Sequence, residues 1–212
     1  MYDFESVLPD NGQLLKKLRR ITDFLERHVV SVFRLDDSNS PDLEGSGILA
    51  KLDDRFYLIS AAHVFDHCDK GIFLIEKGIN CEPLAGDAIV TGKKPGTTRA
   101  DDTADIGFIR LSEKEINCLG TERFLDLNHI SGPPMEISST LFLVLGYPAR
   151  FQIRNHQART IETSLTMFMT GHAKEIGYTR AKINPDTHIL LRFNRKTIAT
   201  HKSIGSPPDY HG

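Results

Sequence analysis

Residues 45–67 read GSGILAKLDDRFYLISAAHVFDH, and the punctuation of that stretch decides the fold class. Two short apolar runs, 47–52 and 55–60, are separated only by Asp53 and Asp54. That is hairpin spacing, although Asp-Asp is a weaker turn signal than Asn-Gly. Gly45 and Gly47 open the stretch, and Ser60-Ala61-Ala62-His63 leaves a histidine at the end of the second strand. Working outward, residues 28–35, 71–75, 88–91 and 106–111 are further strand candidates bounded by polar turns. Six short strands with no intervening helix predict an antiparallel barrel or sandwich.

Elsewhere the period changes. Over residues 13–27, Leu14, Leu15, Leu18, Ile21, Phe24 and Leu25 recur at helical spacing, which predicts one N-terminal amphipathic helix with Asn11 or Asp10 as its cap. Lys16, Lys17, Arg19 and Arg20 fall on the other side and read as a solvated face. Residues 93–104 form a polar loop, 113–119 one or two helical turns, and 128–138, with Gly132-Pro133-Pro134, a linker. Strands then resume at 141–145, along Ile161, Thr163, Leu165, Met167 and Met169, and along Ile189, Leu191 and Phe193; the last two sets alternate with period 2. Residues 203–212 read as loop.

Bulk properties exclude several classes of function. A net charge of -2 gives no bias toward nucleic acid or an anionic membrane, and no apolar run approaches the roughly 20 residues that cross a bilayer. The first residues, MYDFESVLPDNGQ, do not read as a signal peptide. Cys68, Cys81 and Cys118 are scattered, with no CxxC pair, so they are read as buried or part-buried thiols in a reducing, cytoplasmic compartment. No cofactor is implied.

A second stretch, TADIGFIRL at 103–111, sets an aspartate directly before an alternating apolar strand. Together with the SAAH segment it resembles the histidine and aspartate motifs of the chymotrypsin-like (trypsin-like) serine proteases, in a bacterial-type intracellular form without disulfides. The order, His63 and then Asp105 42 positions later, matches the family, and LVLGYP at 143–148 is similar to an early strand of its second barrel. The family's cysteine after the histidine is Val64 here. No GxSxG elbow is present, and subtilisin-like enzymes place the aspartate first.

The resemblance implies an all-β fold of two antiparallel six-stranded barrels behind the N-terminal helix, with the helix at 1–27, the first barrel at 28–127 and an incomplete second barrel at 128–212. It implies a serine endopeptidase acting on a peptide or protein substrate. His63 is its general base and acid, and Asp105 a buried carboxylate that fixes the imidazole tautomer. Asp101 and Asp102 are rivals without a strand directly after them. No GxSG occurs in the 212 residues, while SPPDYHG, ending on Gly212, resembles the approach to the nucleophile motif. The resemblance therefore makes Gly212 the first oxyanion-hole glycine, puts the serine two positions beyond it, and leaves the chain inactive as given. Ser203 and Ser206 lack the glycine-flanked turn a nucleophile needs.

Two other readings stay open: a protease-like module that binds a peptide or protein without chemistry, and an unrelated all-β domain. His63 and His67, followed by Cys68, could hold zinc, but the HExxH glutamate is missing and no third ligand stands nearby. Primary specificity and oligomeric state are not legible in the residues.

Overall fold

The computed structural model describes residues 12–37, 40–66, 71–76, 79–80, 83–92, 96–99, 102, 104–130, 132, 140–148, 152–155, 160–181, 183–185, 189–192 and 198–200. The chain divides into two compact units: Ile21–Ile130 with Gly146–Ser164, and Met1–Arg20 with Ser131–Leu145 and Leu165–Gly212. His67, Cys68, Cys81, Asp101, Ser203, Ser206 and Gly212 lie outside the described residues.

The chain begins with α1 (Gly12–Leu25), continued by a 3-10 turn at Glu26–His28. The helix forms where its period predicts, but its apolar stripe is covered only in part: Leu18 is buried, with Thr22 beside it, while Ile21 and Phe24 are half exposed. Leu18 and Thr22 are one turn apart, so the buried line follows only part of the stripe drawn by hydrophobicity alone. Lys16, Lys17 and Arg20 are exposed as expected.

The larger unit is dominated by one mostly antiparallel sheet. Its strands are β1 (Val29–Leu35), β2 (Pro41–Leu52), β3 (Arg55–Ala61), β4 (Ile72–Glu76), β5 (Ile79–Asn80), β6 (Ala88–Val90), β7 (Ile106–Arg110) and β8 (Leu125–Asp126). They lie in the order β5-β4-β1-β2-β3-β7-β6, with β8 pairing β2 in parallel. The hairpin expected at Asp53-Asp54 is present: Leu52 faces Arg55, and Asp53 takes a φ of 52°, a conformation aspartate tolerates better than most residues. β2 serves three partners, β1 along its first part and β3 and β8 along its last, with a bulge where Val32 faces Gly45 and Phe33 faces Leu43. The core beneath is built from Val30, Val32, Leu49, Leu58, Leu74 and Ile109, each 1% exposed or less.

Two helices break the strand series. The five residues of α2 (Ala62–Asp66) follow β3 without a loop, so the histidine expected at a strand end sits in a helix. α3 (Glu113–Leu119) matches its predicted span; its start is fixed by a capping box in which the Ser112 side chain accepts from the Glu115 N–H and the Glu115 side chain accepts from the Ser112 N–H. Cys118 on α3 is exposed rather than buried.

Beyond residue 140 come β9 (Leu141–Gly146), β10 (Ile153–Asn155), β11 (Thr160–Glu162), β12 (Thr166–Gly171), α4 (Glu175–Ala181) and β13 (Ile198–Thr200). The period-2 run from Ile161 to Met169 is not one strand. It divides between β11, which pairs β10, and β12, which lies between β13 and β9. Leu165 and Thr166 are both buried, as are Met169 and Thr170, so β12 is covered on both faces and its sequence alternation does not mark an exposed side. Of the strand expected at 189–193, a bridge from Leu191 to His172 is described. Tyr178 of α4 steadies it: its hydroxyl accepts from the Leu190 N–H at 2.7 Å and lies 2.7 Å from His172 Nε2. Among the described residues no helix is long and apolar enough to cross a membrane.

Candidate functional site

β3 and β7 run antiparallel with Ala61 opposite Ile106, so the residues just past this pair, His63 and Asp105, are brought side by side. Three contacts hold them. The Ala62 N–H donates to the Asp105 carbonyl at 3.0 Å, and the His63 N–H donates to Asp105 Oδ1 at 3.0 Å. His63 Nδ1 lies 2.6 Å from Asp105 Oδ2. An ionised carboxylate only accepts, so Nδ1–H is the donor in this contact, and in the neutral form of the ring the lone pair then lies at Nε2. One carboxylate thus grips the same residue by backbone and by ring, which leaves the imidazole little freedom to rotate.

The same contact closes the start of the helix. Ala62 and His63 head α2, and both of their N–H groups, which a helix start leaves without internal partners, end on Asp105. Val64 and Phe65 bury the far side of the turn. Gly107 makes room for it, since a Cβ there would come within 2.5 Å of the Phe65 ring. Asp105 itself takes a φ of 42°. Its side chain is 33% exposed and that of His63 54%, so the carboxylate expected to be buried is open to solvent on one side.

A second cluster adjoins the first. Asp102 lies three residues before Asp105, with its side chain 6% exposed. Its carboxylate accepts from the Thr91 hydroxyl at 2.5 Å, from Arg99 at 2.8 Å and from the Ala104 N–H at 3.1 Å. The Thr91 hydroxyl first, and then the N–H groups of Asp105 and Ala104 and the Arg99 guanidinium, hold the Asp102 carboxyl well below the usual carboxylate range, against the opposing effect of burial. Arg99 also reaches Asp66, the last residue of α2.

Ser46, in the glycine-rich start of the quoted stretch, has a structural part: its hydroxyl accepts from the Tyr147 N–H at 2.6 Å, and its carbonyl accepts from the Ser60 hydroxyl at 2.7 Å. That contact anchors Tyr147 beside β2.

Sequence reading found His63 and Asp105 and weighed Asp102 as a rival. Asp102 bonds Thr91 and Arg99, not the His63 ring. Arg99, Thr91 and Asp66 were missed, although an arginine three before one aspartate, HVFD at 63–66 and RADDTAD at 99–105 were there to be read. Among the described residues the side chain bonded to the His63 ring is Asp105, and no three His, Cys, Asp or Glu side chains are grouped to hold a metal ion. A scan against protein-family models finds no match to the chain, and a search of curated proteins finds none.

Proposed function

We propose that this chain is the framework of a chymotrypsin-like serine endopeptidase domain, with His63 as general base and acid and Asp105 as the group that orients it. The observation that carries this is the 2.6 Å contact between His63 Nδ1 and Asp105 Oδ2, formed by two residues 42 positions apart. A serine hydroxyl is a weak nucleophile near neutral pH and needs a neutral imidazole with a bare Nε2 beside it. With Nδ1–H committed to Asp105, Nε2 is that base. It takes the hydroxyl proton as the serine oxygen bonds to the peptide carbonyl carbon, and gives the proton to the amine nitrogen as the C–N bond breaks. Water then releases the acyl group by the same two proton transfers. Asp105 stays ionised throughout and stabilises the imidazolium.

The two-barrel architecture, with boundaries at 28–127 and 128–212, belongs to the same proposal. Its first barrel is supported by the order β4-β1-β2-β3-β7-β6 and by the bond from the Leu84 N–H to the Ile72 carbonyl, which ties the approach to β6 to the start of β4; the second barrel and the boundaries rest on the sequence resemblance. The oxyanion-hole role of Gly212, a serine two positions beyond it, a peptide or protein substrate and a cytoplasmic setting also belong to the proposal, and they rest on the sequence resemblance.

The test is labelling of the protein expressed from its full coding sequence with a serine-reactive fluorophosphonate. Labelling is expected to vanish in His63→Ala and to slow by about 10⁴-fold in Asp105→Asn, which offers the ring the wrong partner. A parent protein that stays unlabelled, or a label that survives His63→Ala, overturns the peptidase reading. The former outcome leaves the peptide- or protein-binding module in its place.

A further inference from the structure

Arg99 stands between the two segments that carry the His63–Asp105 pair. Its Nε and one terminal nitrogen reach the two oxygens of Asp66 at 2.7 and 2.6 Å, a parallel two-point contact with the residue that ends α2. Its other terminal nitrogen reaches Asp102 Oδ2 at 2.8 Å and the Thr91 carbonyl at 2.7 Å. On that side the turn is knitted further: the Ala104 N–H donates to Asp102 Oδ1, and the Ile106 N–H donates to the Thr91 hydroxyl. Arg99 is 13% exposed and Asp66 21%, so the ion pairs are shielded from water much more than a surface pair is.

The placement of the acids argues for a mechanical part. Asp66 sits at the C-terminal end of its helix, where a carboxylate opposes the helix dipole and the guanidinium offsets that opposition. Asp105 has a left-handed backbone, which a turn must impose from outside, and Asp102 accepts from the Asp105 N–H as well as from the Ala104 N–H. Removing the cation would leave two shielded carboxylates, Asp66 and Asp102, without their shared partner. Asp102 would keep the Thr91 hydroxyl and the Ala104 N–H, but the tie between the two segments would be lost.

We infer that Arg99 is a positioning residue: by joining Asp66 on the helix of His63 to Asp102 on the turn of Asp105, it sets the registry of the imidazole against the carboxylate. The inference rests on the reading that this pair is functional, and goes beyond it by naming the support that keeps the pair in register.

The experiment follows the His63 Nδ1–H proton by NMR in the full 212-residue chain, where no nucleophile is needed. A proton shared with a carboxylate resonates far downfield, and its assignment is checked by its loss in His63→Ala. Arg99→Gln is expected to speed its exchange with water by roughly tenfold or more, with the circular dichroism spectrum retained. Arg99→Lys keeps the charge but not the planar fork, and is expected to restore only part of the protection. Leu119→Ala, a core change on α3 and so on neither segment that carries the pair, must leave the exchange at the parent rate. Should Arg99→Gln fail to fold, Asp66→Asn removes one arm alone and must produce the same faster exchange. Parent-like exchange in Arg99→Gln, or in Asp66→Asn where that variant stands in, overturns the positioning role and leaves the His63–Asp105 reading intact. A parent chain without the downfield proton overturns both.

Discussion

Gly107→Ala tests how tightly the helix of His63 is seated on the sheet. The added Cβ would lie 2.5 and 2.9 Å from two carbons of the Phe65 ring and 2.9 Å from Val90 Cγ1. Carbon atoms pack best at about 3.5–4.0 Å, so the ring or the strand must retreat by about 1 Å. Neither can do so freely. Phe65 is 7% exposed within α2, which is pinned at its start by Asp105, and Val90 is on β6, paired to β7 at Gly107 itself. Overpacking of this kind costs about 1–3 kcal/mol, and a methyl caught between two side chains should fall near 2 kcal/mol. For a chain of this length that corresponds to a fall in Tm of about 4–8 °C. Urea denaturation followed by circular dichroism reads the difference. A double-mutant cycle identifies its cause: Phe65→Leu in the Gly107→Ala background should recover about 1 kcal/mol relative to the sum of the two single changes. A Gly107→Ala protein within 0.5 kcal/mol of the parent, or strict additivity in the cycle, would refute the seating of α2 against β7 that the site depends on.

Two further outcomes follow from the same structure. Glu115→Ala should cost about 3 kcal/mol in urea, because its buried carboxylate accepts from the Ala85 N–H and from both the N–H and hydroxyl of Ser112; a loss under 1 kcal/mol would show that water replaces it at no expense. Asp102 is held below its ordinary value of 3.8, so the folded chain binds fewer protons there than the unfolded chain. Its contribution to stability is complete above that value and is lost as the pH falls through the lower folded value. The urea midpoint should therefore drop as the pH is lowered from about 4, and Asp102→Asn should flatten that slope; an unchanged slope in Asp102→Asn would remove Asp102 from the account.

What the residues fixed by themselves is local. The Asp53-Asp54 hairpin, the span of α3 and the presence of α1 all come from features within a few positions of one another, where turn chemistry and periodicity act. The pairing of His63 with Asp105 was also legible, because the SAAH and TADIGFIRL segments resemble the two motifs of one family in order and spacing; the adjacency of β3 and β7 that brings them together was not. The helix α2 was not legible. Its first N–H groups are satisfied by a residue about 40 positions away, and five residues carry no period that could announce a helix. How much of its stripe α1 buries was equally hidden, since Thr22 is covered and Phe24 half exposed, contrary to their hydrophobicity. The run from Ile161 to Met169 reads as one strand because alternation says nothing about which partner each half will find. The Arg99 cluster shows the limit most clearly. Its acids lie 33 positions before it and three after it, and only the meeting of β6, β7 and α2 turns those three charges into one support for the site.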